Sequence, residues 1–258
     1  MAQTSTGSVE IGQVFSDAFA ALRQNWATYL ILAPIFVGIP AAAATWEVEQ
    51  LVARHVLSTT NPVGAFLIGY LRSFPVGIAA YALQGAVMVG ATAFLNGRRA
   101  SFSDCLIAGL RNWPALFVLN LMRGVAIIGG YLLFVVPGVI LNLVWYAAGP
   151  VQVIEGGSPL ASLRRSADLT RGRRWSLFGL SIVVGVIGFL IGLVSGFIGG
   201  FVVGFLKPFG VHGLQAEVLA YPLTYMTAYP FGSAVAAAVY QQLSGGQGQS
   251  DALVEIFA

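Results

Sequence analysis

Long apolar runs, each long enough to form a membrane-crossing helix, follow one another along most of this chain. They cover residues 27–46, 74–95, 113–154, 176–206 and 217–241. A bilayer core about 30 Å thick needs roughly 20 apolar residues per helix, so the run 113–154 is long enough for two crossings. Only 9% of the residues are charged, against about a quarter in a typical soluble domain. The sequence therefore predicts an all-α fold: a polytopic membrane helix bundle of six transmembrane helices, forming one integral membrane domain over residues 1–258.

Three amphipathic segments precede apolar runs and predict helices that lie on the membrane surface. The first covers residues 9–22, whose apolar side chains recur at helical spacing. The second and third begin at Ser101 and Ser158, each a predicted N-cap, and Pro159 stands at the first helical position of the third. The predicted fold therefore includes three amphipathic surface helices.

An internal repeat links these segments. Residues 15–26 read FSDAFAALRQNW and residues 102–113 read FSDCLIAGLRNW, and each ends at a Trp before an apolar run. Trp175 occupies the corresponding place in the third segment, with a looser match. The repeat predicts a unit of surface helix, interfacial Trp and transmembrane hairpin; chance similarity between short amphipathic segments is the alternative. The units cover about residues 9–95, 101–154 and 158–241, and a tail follows at 242–258.

The run 113–154 is broken once, at Pro137-Gly138. Proline cannot continue the helical hydrogen-bond ladder, and glycine accepts the backbone angles of a tight turn. We therefore predict that these two residues form the turn of a helical hairpin.

The distribution of basic residues predicts the orientation. With six spans, most of the 13 Lys and Arg residues share a side with both termini: Arg23, Arg98, Arg99, Arg111, Arg164, Arg165, Arg171, Arg173 and Arg174. The opposite side holds Arg54, Arg72 and Lys207. Because cytoplasmic segments carry the excess of Lys and Arg, both termini and the surface helices are predicted to be cytoplasmic. Basic residues confined to short segments between apolar runs also argue against a nucleic-acid partner.

Residues 135–175 carry a more specific pattern, VVPGVILNLVWYAAGPVQVIEGGSPLASLRRSADLTRGRRW. This stretch resembles the bacterial integral-membrane family named for the membrane domain of glycerophosphoryl diester phosphodiesterases, with its YciC-like relatives. The shared features are the Pro137-Gly138 turn, a span that ends in Glu155 and a Gly-Arg-Arg-Trp entry to the next span. In that family the phosphodiesterase activity belongs to a separate soluble barrel, for which this chain has no room. The resemblance therefore implies a bacterial inner-membrane protein of unassigned role, not a phosphodiesterase.

The sequence argues against catalysis. No carboxylate lies inside a predicted span, and the nearest ones, Glu155 and Glu217, lie at the rims. His55 and His212 are far apart in sequence, and the single cysteine, Cys105, offers no metal-ligand cluster. We therefore predict no catalytic residue, no cofactor and no metal.

Arg123 is the only charged residue inside a predicted span. Asn120, one turn earlier, and Gln152, on the returning helix, are predicted to lie at a similar depth. Such an arginine normally faces the bundle interior or a water-filled cavity. One interpretation is an intramembrane polar site for an anionic or lipid-phosphate group. The other is a structural arginine satisfied by side-chain amides and by carbonyls exposed near Pro150.

A cluster of five arginines surrounds the third surface helix: Arg164, Arg165, Arg171, Arg173 and Arg174. A basic cytoplasmic helix attracts anionic lipid headgroups, so membrane lipids are the predicted partners. The cluster also sets topology, and that role alone is the alternative.

Five glycines repeat at every fourth position of one apolar run: Gly188, Gly192, Gly196, Gly200 and Gly204. Small residues at this spacing, a glycine zipper, let helix backbones approach closely. Packing within the bundle and a homo-oligomer seam are the two interpretations. The sequence leaves open whether residues 176–206 form one long tilted helix or are broken.

Two functions fit this pattern. The first is a non-enzymatic integral membrane protein that organises lipids or partner proteins. The second is a small transporter or lipid-handling protein that uses an interior polar site around Arg123. The ligand, the partner and the oligomeric state do not follow from the sequence.

Overall fold

The computed structural model describes residues 9–58, 60–206, 208 and 214–245. Within them the chain is all-helical, 87% helix with no strand. The helices are α1 (Ile11–Gln24), α2 (Trp26–Ala33), α3 (Ile39–Ala53), α4 (Pro62–Leu95), α5 (Phe102–Leu133), α6 (Val135–Val144), α7 (Ala148–Ile154), α8 (Pro159–Leu169), α9 (Arg174–Leu206) and α10 (Leu214–Ser244). The predicted all-α class is confirmed. Lys207, His212 and most of the predicted tail lie outside the described residues.

Five helical segments of the described chain are long and apolar enough to cross a membrane. They are Trp26–Ala53, Pro62–Leu95, Phe102–Leu133, Val135–Ile154 and Arg174–Val202. The predicted sixth span, residues 217–241, falls on α10, which is a continuous helix of 31 residues.

The first segment extends beyond its apolar run. α2 and α3 are joined by a π-helical turn, Pro34–Gly38, where Pro34 provides no backbone donor. α3 then continues past Trp46 to Ala53, so Glu47 and Glu49 lie on a helix rather than in a loop. α3 packs against α4 and α10, and Val48, beyond the apolar run, is buried.

α4 is the central helix of the bundle, with α1, α3, α5 and α10 packed around it. It begins at Pro62, where the Asn61 side chain accepts a hydrogen bond from the Gly64 amide, and it passes through Pro75 without a break. The predicted span 74–95 is therefore only its second half. Arg72 lies within α4, so Arg123 is not the only charged residue in a long apolar helix.

α5 joins two segments that were predicted to be separate. Ser101 caps it as predicted, in a capping box with Asp104. The helix then runs through Pro114 to Leu133, so the second amphipathic segment continues directly into a candidate span. A proline removes only one backbone hydrogen-bond donor from a helix. A long helix therefore tolerates it when neighbouring helices pack against the turns before and after it.

The hairpin between α5 and α6 exists, but its turn is not at Pro137-Gly138. The helical path breaks at Phe134, whose backbone is extended (φ −163°, ψ 157°), and α6 begins at the next residue. Pro137 stands in the first turn of α6, where backbone N–H groups have no intrahelical acceptor. Gly138 serves close packing instead, since a Cβ there would lie 2.5 Å from the Tyr131 ring.

α8 and α9 are the last two helices before α10 in the described chain. α8 is capped as predicted, with the Ser158 hydroxyl accepting from the Ala161 amide at 3.2 Å. α9 is one unbroken helix of 33 residues, about 50 Å long at 1.5 Å per residue. It packs mainly against α10.

Candidate functional site

The buried face of α8 fixes the basic segment to the bundle. Ser166 and Thr170 both donate hydrogen bonds to the Val144 carbonyl, at 2.9 and 3.1 Å. Ser162 donates to the Gln152 side chain at 2.9 Å. All three hydroxyl side chains are buried, so the opposite face of α8 points outward with its arginines.

Two of the five clustered arginines have protein partners. The Arg165 Nε donates to the Glu155 carboxylate at 3.1 Å, and the same carboxylate accepts from the Tyr240 hydroxyl at 2.8 Å. Arg173 donates to the carbonyls of Gln242 and Leu243 at the end of α10, at 3.5 and 3.4 Å. These arginines tie the basic segment to α7 and α10.

The other three clustered arginines are exposed: Arg164, Arg171 and Arg174. Within the described part of the chain, their side chains make neither a hydrogen bond nor an ion pair. Trp175 follows directly and is 86% exposed. The arrangement therefore presents free positive charge beside an amphipathic ring at the start of the apolar helix α9.

Arg123 contacts a residue that the sequence did not single out. Its guanidinium donates to the Asn142 side-chain oxygen on α6 at 2.6 Å. Asn120 donates to the Leu116 carbonyl at 2.8 Å and lies 3.5 Å from the Gln84 side-chain oxygen. The polar cluster thus links α4, α5 and α6. No carboxylate pairs with Arg123 among the described residues.

Gln152 does not belong to this cluster. It is 3% exposed and donates to the Gly157 carbonyl at 3.0 Å, besides accepting from Ser162. The reason is the break in the returning helix, because α6 ends at Val144 and α7 begins at Ala148. The expected depth of Gln152 assumed one straight returning helix, and the break at residues 145–147 places its side chain away from Arg123. Asn142 was detectable only as another polar residue inside an apolar run.

The glycine repeat on α9 lies on the open surface of the described chain. A Cβ added at Gly188, Gly192, Gly196, Gly200 or Gly204 would meet nothing within 4 Å. The repeat therefore makes no close helix contact among the described residues, and packing within the bundle and a seam with another copy both stay predictions. The close approaches occur elsewhere, at Gly90, Gly109, Gly130 and Gly138.

The long apolar helices are consistent with a multi-pass membrane protein. No family model, curated protein or solved structure matches the chain. The resemblance carried by residues 135–175 therefore stays a prediction.

Proposed function

We propose that the chain is a non-enzymatic protein of a bacterial inner membrane that binds anionic lipid headgroups at the cytoplasmic face and organises lipids or partner proteins there. The observation that carries this proposal is a group of three exposed arginines beside Trp175 that have no partner among the described residues: Arg164, Arg171 and Arg174. The resemblance of residues 135–175 to a family of membrane proteins fits the same proposal.

The physical argument separates these arginines from those with structural partners. A guanidinium already bonded to a carboxylate or to carbonyls, as in Arg165 and Arg173, has less to offer a phosphate. A free guanidinium near an anionic surface contributes about 1 kcal/mol. A neighbouring Trp ring is most stable at headgroup depth and would hold the arginines at that level.

Neutralising Arg164 and Arg174 together should weaken retention of phosphatidylglycerol roughly thirtyfold, from about 1 kcal/mol per residue. Neither side chain has a partner in the part of the chain that the structure describes, so Arg164→Gln with Arg174→Gln should fold normally. The matched control is Arg98→Gln with Arg99→Gln, which removes the same charge from exposed residues outside the cluster. Lipid retention is measured by native mass spectrometry. Equal losses of lipid retention in both double variants would mean that the cluster acts only through its contribution to the net charge.

The proposal includes six spans, with α10 as the sixth and both termini in the cytoplasm. A cysteine at Thr60, an exposed position between α3 and α4, should react with a membrane-impermeant thiol reagent from outside the cell. Arg99→Cys should react only after the membrane is opened. Cys105 is buried and should give little background. A reporter fused after Ala258 should be active only in the cytoplasm, and activity in the periplasm would contradict the six-span arrangement.

A second candidate function rests on Arg123, whose charge has no carboxylate partner in the described chain. An intramembrane cation that a single side-chain amide holds in the described chain suits an anionic substrate or lipid phosphate in transit. On this alternative the chain is a small transporter or lipid-handling protein. The Asn142 bond at 2.6 Å favours the structural interpretation, and the two are separated by experiment in the Discussion.

A further inference from the structure

A polar cleft lies where the first turns of α5 meet the connection between α7 and α8. Its volume is about 340 Å³, at the small end of the roughly 300–1,000 Å³ found for ligand sites. Its charged lining consists of Asp104, Arg111 and Glu155, and Asn112 adds an amide. Gly156 and Gly157 close one side with backbone alone, at positive φ angles of 71° and 87°. The cleft thus combines both signs of charge in one small space.

In the described chain, Arg111 is paired with neither carboxylate of this cleft. Arg111 makes no ion pair or side-chain hydrogen bond with any described residue, although Asp104 and Glu155 line the same cleft. Asp104 is held by the capping box, in which it accepts from the Ser101 amide at 2.8 Å. Glu155 is held by Arg165. Each carboxylate is thus held by a residue other than Arg111, and the Arg111 guanidinium has no partner among the described residues.

The charges decide which ligand fits. A purely anionic group would meet two carboxylates and one free guanidinium. A purely cationic group would meet the unpaired Arg111. A small molecule that carries both charges complements the basic and the acidic side chains of the cleft. Its anionic group would contact Arg111, and its cationic group would lie towards Asp104 and Glu155.

The surroundings of the cleft favour a ligand with an apolar part. Ile107 lines the cleft and is 61% exposed, and Leu110 is exposed on the same helix. Trp113 follows within one turn, at the start of an apolar run. An acyl chain leaving the cleft would therefore lie against apolar surface.

We propose that this cleft binds a headgroup that carries a phosphate and a primary ammonium, with the phosphate on Arg111 and the ammonium between Asp104 and Glu155. The proposal deepens the proposed function and rests on its six-span arrangement, in which Arg99, just before α5, lies on the cytoplasmic side. A free phosphoamine shares this chemistry without the acyl chains. The site differs from the arginines of α8 and α9, which attract net negative charge only.

The test uses the full chain, stripped of lipid and exchanged into mixtures of phosphatidylethanolamine, phosphatidylcholine and phosphatidylglycerol, with retained lipid measured by native mass spectrometry. Phosphatidylethanolamine should be retained preferentially, and Arg111→Gln should lower its retention at least tenfold. Arg99→Gln is the matched control, because both arginines are exposed and neither bonds to another described residue. Asp104→Asn, which keeps an acceptor for the helix cap but removes the charge, should also lower retention.

Soluble phosphoethanolamine separates the two sources of the ligand. If the ligand is a lipid, soluble phosphoethanolamine should displace phosphatidylethanolamine only at large excess. Displacement at equal concentration would assign the cleft to a free phosphoamine of the same chemistry.

Two results would overturn the proposal. Equal phosphatidylethanolamine retention in Arg111→Gln and Arg99→Gln would contradict the proposed contact between the phosphate and Arg111. Retention of phosphatidylcholine as strong as that of phosphatidylethanolamine would contradict the ammonium contact, because the trimethylated ammonium of phosphatidylcholine has no N–H to donate. If either result appears while the Arg164 and Arg174 pair still controls phosphatidylglycerol retention, the cleft proposal fails and the proposed function stands.

Discussion

Gly109→Ala should destabilise the bundle by about 2–3 kcal/mol, whereas Gly196→Ala should leave it unchanged or slightly more stable. The Cβ added at Gly109 would lie 2.6 Å from the Ala82 carbonyl oxygen and 3.3 Å from the Phe36 ring. A backbone oxygen of the central helix cannot move aside as a flexible side chain can, and overpacking typically costs about 1–3 kcal/mol. At Gly196 the same Cβ meets nothing within 4 Å, so only the gain in helix propensity remains, at most about 1 kcal/mol.

Thermal unfolding in detergent measures both substitutions under the same conditions. The pair is matched, since each adds one methyl group to a glycine inside a helix of more than 30 residues, α5 (32 residues) or α9 (33 residues). A Gly109→Ala protein as stable as the wild type would contradict the close approach of α4 and α5.

The same glycine stripe tests the predicted seam between copies. Gly192→Leu with Gly196→Leu should leave the stability of the single chain unchanged, because this face meets no other part of the described chain. Phe189, Phe197 and Phe201 flank these glycines and form a shallow apolar groove. Loss of a dimer in cross-linking or size measurements would support the seam. A protein whose size and stability are both unchanged would place the stripe against lipid.

The helical fold could be predicted from the sequence because its signals are local. Apolar length gives the long helices, and the cap residues Ser101 and Ser158 both form the predicted bonds. The errors concern breaks. The predicted span starts at Phe74 and Trp113 fall beside Pro75 and Pro114, which both lie inside continuous helices. In lipid, a proline within a helix leaves one backbone hydrogen bond unmade, whereas a break in the helix would leave several backbone groups unsatisfied. The true hairpin break, at Phe134, has no glycine or proline of its own.

The candidate sites depend on contacts between residues that are distant in sequence. The charge pattern predicts the arginine cluster, but it does not reveal that Glu155 holds Arg165 or that carbonyls near the end of α10 hold Arg173. Likewise, the spacing of small residues predicts close packing on α9. Which face of α9 has a neighbour is decided by how α9 meets α10, and side-chain spacing within one helix carries no information about that.

Asn142→Leu should destabilise the protein by about 3 kcal/mol, because it removes the acceptor that lies 2.6 Å from the Arg123 guanidinium. Hydrogen bonds to charged groups contribute about 1.5–3 kcal/mol, and a partly buried charge without its partner costs more. Arg123→Leu with Asn142→Leu should recover most of the loss, because replacing both partners by apolar groups leaves neither unsatisfied. Asn112→Leu is the control for the first change, since among the described residues its side-chain amide bonds only to the Ala108 carbonyl of its own helix.

The double variant also separates the two interpretations of Arg123, because it folds without the charge. If Arg123 is structural, the Arg123→Leu, Asn142→Leu protein should retain the same acidic lipid in native mass spectrometry as the wild type at matched folding. If Arg123 binds an anionic group, the double variant should be stable yet lose that lipid. Arg123→Lys refines the second case, since lysine keeps the charge but not the forked donors. An Asn142→Leu protein no less stable than Asn112→Leu would show that the bond does not hold α5 to α6, and the structural interpretation would then lose its support.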